Sequence, residues 1–509
     1  MDKTNKIIYN TGVVYTQLII STLVSLFSVR FVLQALGEED YGVYILVAGV
    51  IAMLDVLSST MAHTSMRFMA HSLGKNDLEY SLKTFNTTLF IHYCLALLLV
   101  VVLEVGGWIM FEWFLNIPEG KILAAKLVYQ FMVVTALVTV VSVPFDAVIN
   151  SHENMLFLAV VSIIESICAI GIALLLLVYD GERLILYGFL MMVLKIISRI
   201  VKQVYTRRKY PECRVDFGKH RDKQLIKSIL GFTGWDFLNV SASLCASQIR
   251  GILLNMFFGV RLNAAEGISK KLNSKLNQVS LGITRAITPQ MNKSEGGGDR
   301  KRLINLTFSG VKFTTFMYCL LAVPLLFETQ YVLDVWLKDV PDYAAQFCQM
   351  CIFMQMISKF TWQISNAVRA VGRIKEMQIV NSILAFTGVI IGYFVFKAGA
   401  GPISIYIIEF VIGFIYAFVT LYFGKKIVGI NPMEFLRKAT MPVVLPILIS
   451  LVLMMPARVM MPESFLRFAI VFSVFIIANA VVFWSFSMNK NERSRLTDIA
   501  KNRFRKKKA

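Results

Sequence analysis

Leu156-Phe-Leu-Ala-Val-Val-Ser-Ile-Ile-Glu165-Ser-Ile-Cys-Ala-Ile-Gly-Ile-Ala-Leu-Leu-Leu-Leu-Val178 decides the class of this chain. A helix rises only ~1.5 Å per residue, so about 20 mostly apolar residues are needed to cross a ~30 Å hydrocarbon layer. This stretch has that length and a single charge, Glu165. Similar stretches recur along the whole chain, at approximately 9–35, 42–62, 84–106, 122–144, 184–205, 231–258, 263–287, 304–327, 343–367, 376–396, 402–423, 440–456 and 465–487. Together they predict an all-α, polytopic membrane protein of about fourteen transmembrane helices. A soluble core has no use for so many helices that are apolar all round.

The loops between the stretches alternate in charge. Segments 1–8, 63–83, 145–155, 202–227, 293–302, 369–375, 425–438 and 488–509 carry 34 Lys and Arg, whereas the opposite loops carry six: Lys121, Arg183, Arg261, Lys338, Lys397 and Arg458. The positive-inside rule puts the first set, and both termini, in the cytoplasm. An odd number of crossings would break the alternation. The net charge of +20 is therefore a topological signal and implies no nucleic-acid partner.

Shifting the chain against itself by 222 positions aligns Thr11-Gly12 with Thr233-Gly234, Gly37 with Gly259, and Gly74 and Asp77 with Gly296 and Asp299. Two parallel six-helix repeats are expected, related by an axis along the membrane normal. The domain reading that follows is an N-terminal lobe at 1–206 and a basic linker at 207–230. A C-terminal lobe at 231–424, two added helices at 425–488 and a basic tail at 489–509 complete it. Within the linker, residues 223–230 have the pattern of a surface helix. A carrier with its substrate cleft between the lobes fits this plan.

Ionisable groups in membrane helices are costly and mark water-filled cavities or ion pairs. The eighth crossing is dense with them: Leu262-Asn-Ala-Ala-Glu266-Gly-Ile-Ser-Lys270-Lys271-Leu-Asn273-Ser-Lys275-Leu-Asn277-Gln278-Val-Ser-Leu-Gly-Ile-Thr-Arg285. At 100° per residue, Ile268, Leu272, Leu276, Val279, Ile283 and Ile287 form one apolar arc, and the polar residues occupy the rest. Such a helix packs one stripe on its own lobe and leaves the remainder wet. Lys270, Lys271, Lys275 and Arg285 are its candidate anion-binding cations, joined by Arg250 within the seventh crossing and Arg30 near the outer end of the first. Glu266, Asn273, Asn277 and Gln278 are the accompanying polar groups. Glu266 and Lys270 have the spacing of an ion pair. Arg30 has the Glu38–Asp40 carboxylates within its reach. Asp55, Glu165 and Glu409 are candidate ion-coupling carboxylates, and Glu165 has the lysines of the sixth crossing as candidate partners. Lysine and arginine bind phosphate through charge-assisted hydrogen bonds.

The seven cysteines fall mostly within apolar helices. Cys348 and Cys351 have no second pair with metal-ligand spacing, so packing is their expected role. No Walker A, H-E-x-x-H or G-x-S-x-G pattern occurs, and no cofactor or metal is expected. An Na⁺ or H⁺ gradient, the substrate gradient and consumption of the product elsewhere are the candidate energy sources.

The segment Arg30-Phe-Val-Leu-Gln-Ala-Leu-Gly37-Glu-Glu-Asp-Tyr41-Gly42-Val-Tyr44 resembles a signature of bacterial polysaccharide repeat-unit flippases. Ser65-Met-Arg67-Phe68 with Gly74-Lys75-Asn76-Asp77 fits the next pattern of that family. Asn263-Ala-Ala-Glu-Gly267-Ile268, Ile287-Thr-Pro289-Gln290-Met291-Asn-Lys293-Ser294 and Gly298-Asp299 look like the corresponding second-half segments. The family belongs to a superfamily with the multidrug and toxic compound extrusion transporters. The resemblance implies two six-helix bundles around a cationic cavity. It further implies an oligosaccharide cargo on undecaprenyl pyrophosphate, turned across a bacterial inner membrane by alternating access for O-antigen or other surface polysaccharide. Membrane lipids and the polymerase and glycosyltransferases of the same pathway are the implied partners. A small-molecule exporter driven by Na⁺ or H⁺ is the second reading; it calls for an acidic or aromatic cavity, against the basic bias here.

Overall fold

A computed structural model describes residues 3–52, 55–114, 119–218, 220–337, 340–489, 492–494 and 497; the side chains of 3–5, 25–27, 29, 38, 46, 49–52, 55–57, 114, 119 and 260 lie outside that description. The described residues form helices and no strand. In chain order these are α1 (Lys3–Ala52), α2 (Asp55–Gly74), α3 (Leu78–Ile109), α4 (Ile122–Ser151), α5 (Met155–Val178), α6 (Arg183–Lys209), α7 (Lys223–Phe258) and α8 (Val260–Gly296). Then follow α9 (Arg300–Phe327), α10 (Thr329–Trp336), α11 (Ala344–Val371), α12 (Lys375–Lys397), α13 (Ser404–Phe423), α14 (Pro432–Phe435), α15 (Met441–Met460) and α16 (Phe465–Val482).

Eleven helices among the described residues are long and apolar enough to cross a membrane, against fourteen expected crossings. The remaining three have identifiable reasons. The crossing at 42–62 runs through residues 53 and 54, outside the description. α8 and α11 have 37 and 28 residues, ample for a bilayer, but carry too many polar side chains. Two boundaries differ from expectation. The loop placed at 36–41 is a one-residue break in α1, where Gly37 adopts φ 77°, ψ 174°. Residues 223–230 form the first turns of the continuous helix α7.

The chain makes two compact units. One comprises Tyr9–Phe237 with Asn292–Gly298; the other comprises Leu238–Met291 and Asp299–Ala509 with Met1–Ile8. The first is built around α4, which packs on α2, α3 and α6. Its cores gather Phe85, Leu89, Phe145 and Ile149 in one cluster and Val47, Val128, Tyr129 and Leu184 in another. In the second unit, α11 packs on α9 and α13, α12 on α13, and the α15–α16 pair on α9. Its cores centre on Leu254, Phe347 and Tyr406 and on Tyr318, Ala322 and Phe475. Glu328, fully buried at the end of α9, receives Arg467 of α16 at 2.7 Å and Arg458 of α15 at 3.3 Å, tying the last two crossings to the unit.

The 222-residue repeat is visible in backbone conformation. Gly37 and Gly259 both take positive φ, 77° and 85°. Asn76 and Gly298, another pair in register, take 55° and 73°. The next residues, Asp77 and Asp299, both cap a helix N-terminus, accepting the N–H of Tyr80 and of Arg302, each at 3.0 Å. Such a cap satisfies one of the donors that a helix start leaves open.

Contacts repeat as well. A Cβ at Gly74 would lie 2.2 Å from the Lys293 carbonyl oxygen, and one at Gly296 would lie 2.0 Å from that of His71. Lys293 and Gly296 are His71 and Gly74 moved by 222 positions. The contact maps onto itself under the shift, as two-fold-related segments require.

Candidate functional site

α8 presents three faces. Leu276, Ile283 and Ile287 are buried, and Ile268 and Leu272 pack on the unit's cores, as the apolar arc requires. A second face turns neutral polar groups inward. Ser269 and Ser280 are buried, Asn273 accepts a hydrogen bond from the Tyr318 hydroxyl of α9 at 3.4 Å, and Thr284 accepts one from Gln363 of α11 at 3.0 Å. The third face carries Lys271, Lys275 and Arg285, all exposed, with half-buried Gln278 beside them. No carboxylate pairs with these three cations among the described residues. Asn277 lies half-buried, its side-chain oxygen without a hydrogen-bond partner.

At the N-terminal end of α8 the charges are tied together. Arg250 of α7 donates through Nε to Glu266 Oε1 at 2.9 Å and through Nη1 to Glu409 of α13. Lys270 Nζ lies 2.9 Å from the same Glu266 oxygen and also donates to the Ser247 carbonyl at 3.3 Å. The Arg250 guanidinium sits 5.4 Å from the Tyr406 ring centre. A Cβ on Gly251 would meet Glu266 Oε2 at 2.9 Å, so the glycine beside Arg250 leaves room for the carboxylate. Two cations and two carboxylates cancel, which makes this cluster tolerable at membrane depth.

The structure thus divides the sequence-derived set. Arg250, Lys270, Glu266 and Glu409 form a neutral network; Lys271, Lys275 and Arg285 stand apart from it. Arg30 is exposed on α1. Of the carboxylates within its reach, Asp40 pairs with Lys121 at 2.7 Å. The hydrogen bond from that ammonium to Asp40 raises the Lys121 pKa above the ordinary lysine range. Glu165 pairs with Lys195 of α6 at 2.9 Å, as expected, and also accepts from Ser198. The side chain of Asp55 lies outside the described residues. No cluster of three or more His, Cys, Asp or Glu suited to a metal occurs among the described residues.

Sequence reasoning did not bring Tyr406 or Ser247 to the site. Nor did it single out Lys359 of α11. Lys359 is only 6% exposed. Its ammonium lies 5.3 Å from the Tyr318 ring and 5.8 Å from the Trp362 ring. A lysine at a helix centre costs ~2.5–3.5 kcal/mol on insertion scales. Cation–π contacts return about 0.5–2 kcal/mol each, so two rings offset much of that cost without a counter-ion.

With the geometry in hand, comparison with known proteins is decisive for the family. Residues 4–266, more than half of the chain, match the family described as polysaccharide biosynthesis protein. The chain belongs to that family. Its fold is shared with solved transporters. A crystal structure of MATE in the straight conformation superposes with a TM-score of 0.70 at 12% identity, covering 84% of this chain and 97% of that one. An outward-facing multidrug resistance MATE family transporter of the MOP superfamily gives 0.70 at 14% identity, with 84% and 96% covered. A MOP superfamily transporter from Pyrococcus furiosus Vc1, described as having a binding pocket of reversed polarity that suggests a different function, gives 0.70 at 13%, with the same coverage of 84% and 96%. No curated protein sequence matches the chain. This member of the polysaccharide biosynthesis family is therefore a multi-pass membrane protein with a MATE-like transporter fold.

Proposed function

We propose that this protein flips an oligosaccharide repeat unit, linked through pyrophosphate to undecaprenol, across the bacterial inner membrane for surface polysaccharide or O-antigen synthesis. The observation that carries the reading is the row of exposed, unpaired cations Lys271, Lys275 and Arg285 on α8. Three positive charges without counter-ions at membrane depth call for water and an anion, and pyrophosphate is an anion that lysine and arginine hold well. Gln278 beside them, and Asn277 on the neighbouring polar face, offer amide groups to sugar hydroxyls. Alternating exposure of this face to the two sides of the membrane would carry the headgroup across while the prenyl tail stays in lipid. Both termini then lie in the cytoplasm, and the polymerase and glycosyltransferases of the pathway are the partners that consume and supply the cargo. The proposed driving force is an H⁺ or Na⁺ gradient.

The test is surface-polysaccharide export in a strain lacking the gene. Lys271→Ala, Lys275→Ala and Arg285→Ala, alone and combined, are expected to abolish export while the protein still accumulates in the membrane. Export at the wild-type level from the triple variant would remove this face from the mechanism. The shared fold with a multidrug resistance transporter supports a second reading, an Na⁺- or H⁺-driven small-molecule exporter. Cation-driven efflux of dyes from proteoliposomes, unaffected by the triple substitution, would favour it.

A further inference from the structure

The buried and half-buried charges of the C-terminal unit are met by opposite charges almost throughout. Arg250 and Lys270 share Glu266, and Arg250 also holds Glu409. Lys312, buried in α9, is held by both oxygens of Glu492 at 2.7 and 2.6 Å and by the Ser487 carbonyl at 3.2 Å. Arg458 and Arg467, the charged residues of α15 and α16, converge on Glu328.

Lys359 is different. It is buried like Lys312 and Arg467, yet among the described residues neither a carboxylate nor a hydrogen-bond acceptor pairs with its ammonium. Groups around it are identifiable element by element. From α9 come the Tyr318 ring and the Cys319 thiol, and from its own helix the Trp362 ring. The carboxylates of α8 and α13, Glu266 and Glu409, are both committed to Arg250.

The geometry points to Lys359 as a proton-binding site. Its charged form is held by two aromatic rings and its neutral form needs no partner, so neither protonation state is locked in as it is in the paired groups. The amine takes a proton from water at one stage of a conformational cycle and returns it to water at another; no other bond changes. Two rings repay only part of the cost of a charge, so a permanently charged lysine would be better served by a carboxylate, as at Lys312, and a permanently neutral side chain as well by methionine. The site takes over the part expected of Glu165 and Glu409, both of which are occupied by ion pairs. It does not depend on which cargo is carried.

Trp362 is the built-in reporter, because a charge 5.8 Å from an indole ring alters its emission. The purified full chain in lipid nanodiscs is titrated from about pH 6 to pH 9, between the ordinary ranges of carboxylates and lysines. The wild type is expected to show a reversible step in tryptophan emission. That step disappears in Lys359→Met and in Lys359→Arg, whose charge is fixed, and also in Trp362→Phe. Contributions from the five histidines persist in all variants and are subtracted. Either substitution at 359 suffices if the other fails to elute as the wild type does. A flat wild-type signal, or a step that survives removal of the Lys359 amine, overturns the assignment. Loss or retention of polysaccharide export leaves this readout unchanged, so failure here is distinguishable from failure of the cargo proposal.

Discussion

Arg250 of α7 and Lys271 of α8 are both cations of the C-terminal unit, and their surroundings assign them opposite sensitivities. Arg250 touches two carboxylates, Glu266 and Glu409, and its side chain is 11% exposed. Deleting it strands buried negative charge, which costs roughly 3–5 kcal/mol in comparable sites. Arg250→Ala is therefore expected to lower the thermal unfolding midpoint of the detergent-solubilised protein sharply, while Lys271→Ala leaves it almost unchanged. Exposed substitutions away from such networks stay within about 0.5 kcal/mol. Equal midpoints for the two variants, followed by fluorescence-detected size exclusion after heating, would refute the division of the site into a structural network and a free row. Only part of that division was readable from sequence. Glu266 and Lys270 are four residues apart on one helix, so their pairing follows from helical geometry. Glu409 lies 159 positions from Arg250, and no local pattern connects them.

Among the elements, α2 and α8 meet where glycine permits backbone to touch backbone. At Gly296 an added methyl would lie 2.0 Å from the His71 carbonyl oxygen, and at Gly74 the corresponding distance is 2.2 Å. Neither helix end can yield without moving its neighbour, since both are followed by a positive-φ residue and a capped helix start. Gly296→Ala should destabilise the protein by about 1–3 kcal/mol, the usual cost of overpacking. Gly267→Ala is the control, because nothing lies within 4 Å of its added methyl. A midpoint for Gly296→Ala as high as that of Gly267→Ala would show that the crossing is looser than described. The 222-residue register was legible because glycines and capping aspartates mark helix ends in any sequence. The reciprocal contact was not legible, since matching punctuation says where helices stop and not which ones meet. The same limit explains the continuous α7: the basic residues of 223–230 signal a membrane surface whether the helix lies on it or enters the bilayer from it.

For the whole molecule, hydrophobic length and charge placement made the fold class readable, because membrane helices satisfy their own backbone hydrogen bonds and need few long-range clues. The number of crossings is harder to read where polarity rises, as in α8 and α11, and there the orientation of the flanking loops is the better witness. The basic loops predict that residues 75, 218 and 372 face the cytoplasm and that residues 180 and 400 face the other side. Alkaline phosphatase fused after Asp180 or Ala400 should be active, and fused after Lys75 or Gly372 inactive; a fluorescent cytoplasmic reporter should give the reverse. The stretch at 42–62 decides the frame. If it does not cross, residue 75 lies on the side opposite the N-terminus, and the three basic residues of 63–83 sit where the charge rule disfavours them. If α8 does not cross, the sign inverts instead between residue 218 and residue 372. Activity at Gly372 with inactivity at Lys75 would thus locate the error at α8 or α11; if at α8, it takes Lys271, Lys275 and Arg285 out of the membrane and leaves the proposed cargo without its cationic row.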